Sequence, residues 1–429
     1  MHITATTIDL VETWPRETDL NNPEFVDTAA LWLDMFGNAE RSIEIAAFYV
    51  ATTPGSAMEP ILDALESAVA RGVVVRLLID AKFYVGQPEV ADRLAAAGVQ
   101  VRGLDLSGLG GVMHAKYFVV DGRAAYIGSA NFDWRSLAHI HELGIHLREP
   151  ALVATTEAIW SADWADSRPL GALPALSALP AKSADPPPVN CANCADPKKS
   201  TPPPPALAPF AGITPVSTHY AGSKHLIAIV ASPRDRLPDP ATWDLPRLLG
   251  LIANARHRIQ IQLLSYALVG FDGTRFDGID RALRAAAERG VIVELLVADW
   301  NKRPPALIDL QELQRVPGIS VRMATIPPAR SGFIPYARVI HSKLMIVDGR
   351  FSWVGSSNFS GDYFFNSRNL GVIVDGAAFA ADVGRVFAGV WSSTYAYELD
   401  PDADYEPPQV APEPPANPSP ESNTESQSQ

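Results

Sequence analysis

Residues 114–131 read HAKYFVVDGRAAYIGSAN, and residues 341–358 read HSKLMIVDGRFSWVGSSN. Both stretches follow the pattern H-x-K-x4-D-x6-G-S-x-N, so the same side chains recur at the same spacing in two parts of one chain. In each stretch a short apolar run rich in β-forming residues reaches Asp-Gly, and a second run then ends at Gly-Ser. This arrangement predicts a β-hairpin closed by a tight turn. Its repetition predicts two similar lobes.

The duplication extends upstream of the hairpins. Each copy has an alternating apolar strand, an amphipathic helix ended by glycine and a second strand, in that order. The matched segments are 41–49 with 258–266, 61–72 with 279–290, and 73–79 with 291–297. We therefore predict an α/β fold with two similar lobes, each a mixed, mostly parallel sheet flanked by helices. A pseudo-two-fold axis is expected to relate the lobes and to place the active site at their interface.

Composition divides the 429-residue chain into four segments. We predict an N-terminal lobe over residues 1–168 and a C-terminal lobe over residues 210–399. The Pro-rich segment 169–209 is predicted to be an extended connector. The Pro-, Glu- and Ser-rich segment 400–429 is predicted to be a disordered acidic tail. Because this tail contains seven acidic residues and no basic one, it accounts for much of the net charge of −13.

The sequence carries weak signals of compartment. No apolar stretch reaches the roughly 18–20 residues of a membrane span, and no signal peptide is evident at the N-terminus. We expect a soluble monomer without stable membrane insertion, cytoplasmic by default, with secretion as the alternative. Cys191 and Cys194 form a lone C-x2-C pair. Because zinc needs four ligands and no second pair exists, we interpret them as a loop disulfide or free thiols and expect no metal site.

The spacing of each motif groups chemical functions on one side of a strand. Because side chains alternate along a strand, His114 and Lys116 face the same way, as do His341 and Lys343. Facing lobes would bring two imidazoles and two ammonium groups to one phosphodiester. One neutral histidine can attack phosphorus and form a phosphohistidine, while the other protonates the leaving oxygen and then activates water. Four further motif residues are expected to donate hydrogen bonds to the substrate: Asn131, Asn358, Ser129 and Ser356.

One further carboxylate is a candidate for orienting a histidine. Glu142 lies in a strand-like stretch after the first motif, where it could accept a hydrogen bond from His114 and fix its tautomer. The corresponding residue of the second copy is the neutral Asn369. We therefore assign His114 as the nucleophile and His341 as the general acid and base, because a carboxylate-backed imidazole is held better for attack.

The motif aspartates have a different expected role. Asp121 and Asp348 fall where the first strand meets the turn and face away from the His/Lys pair by parity. We interpret both as structural residues that hold the turn and the strand register.

Several aromatic residues have two interpretations. Trp134 could stack on a base or could equally be a packing residue. Tyr336 could line the entrance, but packing at a strand edge is favoured for it. Phe48, Tyr49 and Tyr266 end the central strands, where α/β sheets place ligand clefts. Core packing is favoured for two of these three.

The paired motif resembles that of the phospholipase D superfamily. The flanks Asn131-Phe-Asp-Trp-Arg-Ser136 and Asn358-Phe-Ser-Gly-Asp-Tyr-Phe364 are similar to its branch of lysosomal single-strand 5′-exonucleases. The resemblance implies two packed lobes, an internal pseudo-dimer, and cleavage through phosphohistidine without metal or other cofactor. It implies nucleic acid ends as substrate. Two alternatives are phospholipid headgroup hydrolysis or transfer, and a non-catalytic binding module.

Overall fold

A computed structural model describes residues 7–173, 200–271 and 273–412, so Cys191 and Cys194 lie outside the described residues. The N-terminal lobe contains β1 (Ile8–Thr13), β2 (Val26–Asp27), α1 (Thr28–Gly37), β3 (Ser42–Ala47), β4 (Val50–Ala51), α2 (Glu59–Ala70), β5 (Val74–Asp80), α3 (Ala81–Gly86), α4 (Glu89–Ala96), β6 (Gln100–Leu104), β7 (Lys116–Val120), β8 (Ala124–Gly128), β9 (Phe132–Asp133), β10 (Ile140–Leu147), α5 (Pro150–Asp166) and β11 (Arg168–Pro169).

The C-terminal lobe repeats this order with small differences. It contains β12 (Val216–Tyr220), β13 (Ser223–Ser232), α6 (Leu245–Asn254), β14 (Arg258–Leu263), α7 (Gly278–Glu288), β15 (Ile292–Ala298), α8 (Ala306–Gln314), β16 (Ile319–Ala324), β17 (Val339–Ile340), β18 (Lys343–Val347), β19 (Phe351–Gly355), α9 (Gly361–Phe365), β20 (Asn369–Asp375), α10 (Ala377–Trp391) and β21 (Ala396–Glu398).

The two large sheets have the same strand order. The first runs β6-β5-β3-β7-β8-β10-β1, and the second runs β16-β15-β14-β18-β19-β20-β13. In each, three strands joined by helical crossovers are parallel, whereas the motif hairpin and its neighbours are antiparallel. The predicted α/β class with two similar mixed lobes is confirmed. The antiparallel pairs outnumber the parallel ones because each hairpin lies in the middle of its sheet.

Hydrophobic residues form three clusters that explain the layers. One cluster packs α1, α2 and α4 on the outer face of the N-terminal sheet, and a second packs α6, α7 and α8 on the outer face of the C-terminal sheet. The third combines α5, α10 and the inner faces of both sheets. Because this middle cluster includes residues of both motif strands, the lobes share a continuous core, and the ends of β7 and β18 meet at their boundary.

The motif turns adopt the geometry expected from Asp-Gly. The φ angles are +56° and +63° at Asp121 and Gly122, and +53° and +62° at Asp348 and Gly349. Positive φ at both central positions is characteristic of a type I′ turn. Each turn lies within a three-residue loop, between the paired residues Val120 and Ala124 or Val347 and Phe351. Each Asp carboxylate also accepts three backbone hydrogen bonds of 2.7 to 3.0 Å at the start of β3 or β14. The carboxylates therefore tie each turn to the neighbouring strand.

The strand register corrects the predicted repeat by one residue. Ile43 lies opposite Val120, and Ile259 lies opposite Val347. Since the hairpins correspond exactly through their motifs, Ile43 corresponds to Ile259, and the matching of 41–49 with 258–266 is wrong by one position. A slip of one residue moves every side chain to the other face of a strand.

Two segments outside the sheets contact the C-terminal lobe. The backbone N–H of Leu207, in the predicted connector, donates to Pro246 O at 2.8 Å. In the segment beyond β21, Asp402 forms an ion pair with Arg315, the residue after α8, at 2.8 Å. Val410 O accepts a hydrogen bond from the backbone N–H of Tyr336 at 2.8 Å. Residues 400–412, which the sequence predicted to be disordered, are therefore ordered on this lobe. None of the described helices is long and apolar enough to span a membrane.

Candidate active site

Each motif histidine is held by the opposite lobe. The backbone N–H of His114 donates to Arg368 O at 2.9 Å, just before β20. The backbone N–H of His341 donates to His141 O at 2.8 Å, within β10. The short strand β17 pairs in parallel with β10, and Met113 forms the equivalent bridge with Arg368. The segment entering each motif thus crosses the boundary between the lobes.

The imidazole side chain of each motif histidine also contacts a residue of the opposite lobe. Nδ1 of His341 lies 3.0 and 2.8 Å from the two carboxylate oxygens of Glu142, and Nδ1 of His114 lies 3.0 Å from Oδ1 of Asn369. The prediction that Glu142 orients His114 is therefore wrong. Glu142 lies on the strand beside its own motif hairpin, but the lobe boundary places the other motif's histidine in front of it. The sequence indicated that the two copies differ in charge at this position, and the structure places that difference beside the two histidines.

The motif serines support these partner residues. Ser129 Oγ donates to Glu142 at 2.6 Å, and Ser356 Oγ donates to Asn369 Oδ1 at 3.0 Å. Their hydroxyls also accept backbone N–H bonds from Leu143 and Leu370 at 3.0 and 3.2 Å. The side chains are 0% and 1% exposed. The predicted contact of the serines with substrate is therefore replaced by a positioning role, because both hydroxyls are buried and already bonded.

Two buried lysines supply positive charge. Lys116 and Lys343 are 1% and 0% exposed, and each Nζ donates to the backbone oxygen of the histidine two residues earlier. Burial lowers the pKa of Lys343 to about 7, against the raising effect of Glu142. Burial, and then the charge of Lys343, hold the pKa of Lys116 well below its usual range. Two ammonium groups crowded in a buried space create a site that favours an anion.

The two histidines differ in their electrostatic surroundings. Burial lowers the pKa of His341 to about 4, although the nearby Glu142 carboxylate raises it. Burial and the two lysine charges lower the pKa of His114 well below 6.5, whereas its hydrogen bond to the neutral Asn369 raises that pKa. Burial would raise the pKa of Glu142, but His341 and Lys343 lower it overall. The carboxylate therefore stays charged and favours protonation of His341.

The motif asparagines lie after the second strand of each hairpin. Asn358 Oδ1 accepts the backbone N–H of Ser265 at 3.2 Å, which fixes the orientation of its amide. Its Nδ2 lies beside the Tyr363 hydroxyl but makes no well-aligned hydrogen bond within the described residues. Asn131 is 7% exposed, and its Oδ1 likewise has no hydrogen-bond partner in the described part of the chain. These amides retain hydrogen-bonding capacity for a ligand.

Trp134 and Tyr336, the other two predicted substrate contacts, have partners other than the motif histidines. Trp134 is half-buried and makes ring contacts with His139 and Arg135, and Arg135 pairs with Asp133 at 2.7 Å. These contacts favour the packing interpretation of Trp134. Tyr336 is 41% exposed, and its backbone is bonded to the segment after β21.

Three features around the motif histidines were not predicted as contacts of these residues. Asn369 forms a hydrogen bond with His114. The ring centroids of Phe48 and Tyr363 lie 5.0 and 4.9 Å from the centroid of the His114 ring. Arg368, which carries the backbone contact to His114, forms a buried ion pair with Asp163 of the opposite lobe at 2.8 Å. The available signal was positional, since Asn369 matches Glu142 in the repeat. Among the described residues, no three His, Cys, Asp or Glu side chains are grouped as metal ligands.

Comparison with known proteins assigns this arrangement to a family. The model of the cardiolipin synthase, phospholipase D-like domain matches residues 32–164 and 248–391, once in each lobe. The chain belongs to the phospholipase D-like family. It is 30% identical to phospholipase D Z of Dictyostelium discoideum over 398 residues, covering 89% of this chain and 88% of that protein. It is 32% identical to the 5′-3′ exonuclease PLD3 of Bos taurus over 424 residues, covering 92% and 81%.

A solved structure agrees on the fold. Phosphatidylserine synthase of Haemophilus influenzae superposes with a TM-score of 0.58 at 14% identity, covering 86% of this chain and 85% of that one. The family and its relatives make this phospholipase D-like protein a phosphodiesterase of the hydrolase class.

Proposed function

We propose that this phospholipase D-like protein cleaves single-stranded nucleic acid from a chain end through a phosphohistidine intermediate. His114 is the nucleophile, and His341 is the general acid and then the general base. The observation that carries the assignment of these two roles is the unequal support of the histidines across the lobe boundary, a carboxylate on one and an amide on the other. This reverses the reasoning from sequence, in which the carboxylate was expected on the nucleophile.

The surroundings of His114 suit a nucleophile. Asn369 Nδ2 donates to Tyr363 O at 2.9 Å, so its Oδ1 faces His114. An amide oxygen only accepts hydrogen bonds, so Nδ1 of His114 carries the proton and Nε2 keeps its lone pair. With no carboxylate against it and two lysines nearby, the ring is held in the neutral form that can attack phosphorus.

The surroundings of His341 suit an acid. The Glu142 carboxylate, at 2.8 Å from Nδ1, stabilises the imidazolium form relative to the neutral one. A substrate phosphate adds a second negative charge near the same ring, which raises its proton affinity further. His341 can therefore hold a proton on Nε2 in the complex and transfer it to the leaving oxygen.

The reaction then has two balanced steps. In the first, Nε2 of His114 forms a bond to phosphorus, the bond from phosphorus to the leaving oxygen breaks, and His341 gives its proton to that oxygen. In the second, His341 takes a proton from water, whose oxygen displaces His114 and yields a phosphomonoester. Lys116 and Lys343, with Asn131 and Asn358, stabilise the charge on the non-bridging oxygens in both steps.

The names of relatives support two substrate classes. The 5′-3′ exonuclease relatives support nucleic acid ends, attacked from the 5′ end, and they cover more than nine-tenths of this chain. The phospholipase D relative supports phospholipid headgroups as the alternative substrate. Retention of both histidines, both lysines and both asparagines disfavours a non-catalytic binding module.

A parallel assay in EDTA tests the proposal. Wild type and His114→Ala each receive a 5′-hydroxyl single-stranded oligonucleotide and, separately, phosphatidylglycerol vesicles. We expect stepwise nucleotide release from the 5′ end, lost in the variant, with intact vesicles. Headgroup release with intact oligonucleotide would assign the phospholipase activity instead. Activity on neither substrate would support the binding module, and recovery of activity only with added divalent metal would refute metal independence.

A further inference from the structure

An aromatic wall, formed by Phe48, Tyr49 and Phe83, borders the His114 side of the site. The Phe48 ring lies 5.0 Å from the His114 ring and 4.0 Å from the Phe83 ring, and Phe83 stacks with Tyr49 at 6.0 Å. Nζ of Lys116 lies 4.9 Å from the Phe48 centroid. All three aromatic side chains are half-buried. A phosphate bound at Lys116 would therefore have its attached nucleoside next to the accessible part of these rings.

The wall is built into the fold. Phe48 follows the last residue of β3, and Phe83 lies in α3, directly after β5. Both N-terminal N–H groups of α3 at Lys82 and Phe83 donate to one carboxylate oxygen of Asp80 at 3.0 Å. The other oxygen accepts the backbone N–H of Met113 at 2.7 Å. Asp80 thus fixes the helix that carries Phe83 to the residue preceding His114.

The positions of Phe48 and Phe83 carry no aromatic residue in the C-terminal lobe. By the strand register, Leu264 stands at the position of Phe48, and Asn301 at that of Phe83. Asn301 is 3% exposed and its side chain bonds backbone groups of its own lobe, including Leu264 O at 2.7 Å. At these two positions, the aromatic side chains of the N-terminal lobe are therefore replaced by an aliphatic side chain and a buried amide in the C-terminal lobe.

We propose that Phe48 and Phe83 form a stacking platform for the nucleobase on the side of the scissile phosphate that stays bonded to His114. This inference rests on the proposed nuclease function and deepens it. Every base presents a π-face, so stacking on aromatic side chains binds single strands without strict sequence preference. Because the wall lies beside the nucleophile, it retains the terminal nucleotide while the rest of the chain leaves on the His341 side.

The test compares matched substrates and variants taken from the other lobe. The substrates are 5′-hydroxyl oligonucleotides with either an intact or an abasic terminal nucleotide. The variants are Phe83→Asn and Phe48→Leu, which install the residues found at the corresponding C-terminal positions, and Phe83→Trp, which keeps an aromatic face. Circular dichroism and hydrolysis of a small p-nitrophenyl phosphodiester report whether each variant is folded and competent.

We expect kcat/KM of the wild type to fall by about 5- to 150-fold on the abasic substrate, the range of ~1–3 kcal/mol per stacked base. Phe83→Asn should lose a similar factor on the intact substrate and little on the abasic one, and Phe83→Trp should retain the preference. Equal losses on both substrates, or no preference in the wild type, would overturn the platform while leaving the nuclease proposal intact. Failure of the wild type to cleave any oligonucleotide would overturn both. Release of lipid headgroups that depends on Phe83 would assign the wall to an acyl chain.

Discussion

Removing the charge of Glu142 is the most direct test of how the two histidines divide the chemistry. Glu142→Gln keeps the size of the side chain and an oxygen that can accept from Ser129 and His341, so it gives His341 the same type of partner that Asn369 gives His114. The variant should fold, because its hydrogen bonds persist. What it removes is a negative charge 2.8 Å from Nδ1 of His341.

The size of the effect follows from that distance. A hydrogen bond to a charged group contributes about 1.5–3 kcal/mol, against roughly 1 kcal/mol for a neutral one. Two unit charges 4 Å apart interact by about 4 kcal/mol at an effective dielectric constant of 20. We therefore expect the imidazolium of His341 to lose about 2–4 kcal/mol of stabilisation. On an oligonucleotide, whose leaving alkoxide needs the proton, kcat/KM should fall by about 30- to 1,000-fold.

The leaving group separates this explanation from a general loss of structure. p-Nitrophenolate departs without protonation, so Glu142→Gln should leave the burst of p-nitrophenolate nearly unchanged. The matched control is Asn369→Asp, which places a carboxylate against His114, favours its protonated form and should slow the burst itself. If Glu142→Gln lost the same factor in rate on the oligonucleotide and on the p-nitrophenyl ester, the assignment of His341 as acid would be refuted. If the burst were reduced in Glu142→Gln but not in Asn369→Asp, the roles of the two histidines would be exchanged.

Three further outcomes are expected. His341→Ala, given a labelled p-nitrophenyl substrate, should accumulate acid-labile phosphate on the imidazole of the first motif, as measured by peptide mapping; label elsewhere contradicts the mechanism. The kcat/KM of the wild type should fall as pH rises above about 4, where His341 loses its proton, and should fall more steeply above about 7, where Lys343 loses its proton. Lys343→Arg should remove the decline above pH 7; if the pH profile of this variant still declined there, Lys343 would be excluded as the cause. Asp163→Asn should lower the free energy of unfolding, measured in urea, by about 3–5 kcal/mol, because it leaves the Arg368 charge buried without its partner. The control Asp166→Asn removes a carboxylate from the exposed pair with Arg236 and should lower that free energy by about 0–1 kcal/mol. Similar losses in the two variants would contradict the argument from burial.

The sequence predicted much of this molecule because the strongest signals are local. The parity of a strand places His114 and Lys116 on one side, and Asp-Gly encodes the turn that returns Asn131. Repetition of these signals was sufficient for the two-lobe fold and its interface.

The errors have physical causes at longer range. Parity cannot tell which histidine faces Glu142, since the answer depends on how two sheets pack across their boundary. The one-residue error between the upstream strands arose because two alternating strands match almost equally well in either alignment. The ordered segment 400–412 has a polar composition typical of disorder. Arg315, just after α8, nevertheless donates hydrogen bonds to Pro401 O and to the Asp402 carboxylate, and Gln311 of α8 donates to Ala403 O.

Each motif histidine has its hydrogen-bond partner in the opposite lobe, and this arrangement bears on the direction in which a substrate strand binds. If the lobes were identical and separate, each histidine would have the same partner, and a phosphodiester would be cleaved in either of two opposite orientations at equal rates. Because both copies lie in one polypeptide, the corresponding positions 142 and 369 can carry different residues, here Glu and Asn. That difference, like the aromatic wall on the His114 side, makes the two ends of the cleft unlike. Under the proposed mechanism it would restrict a substrate strand, which itself has two unlike ends, to one orientation.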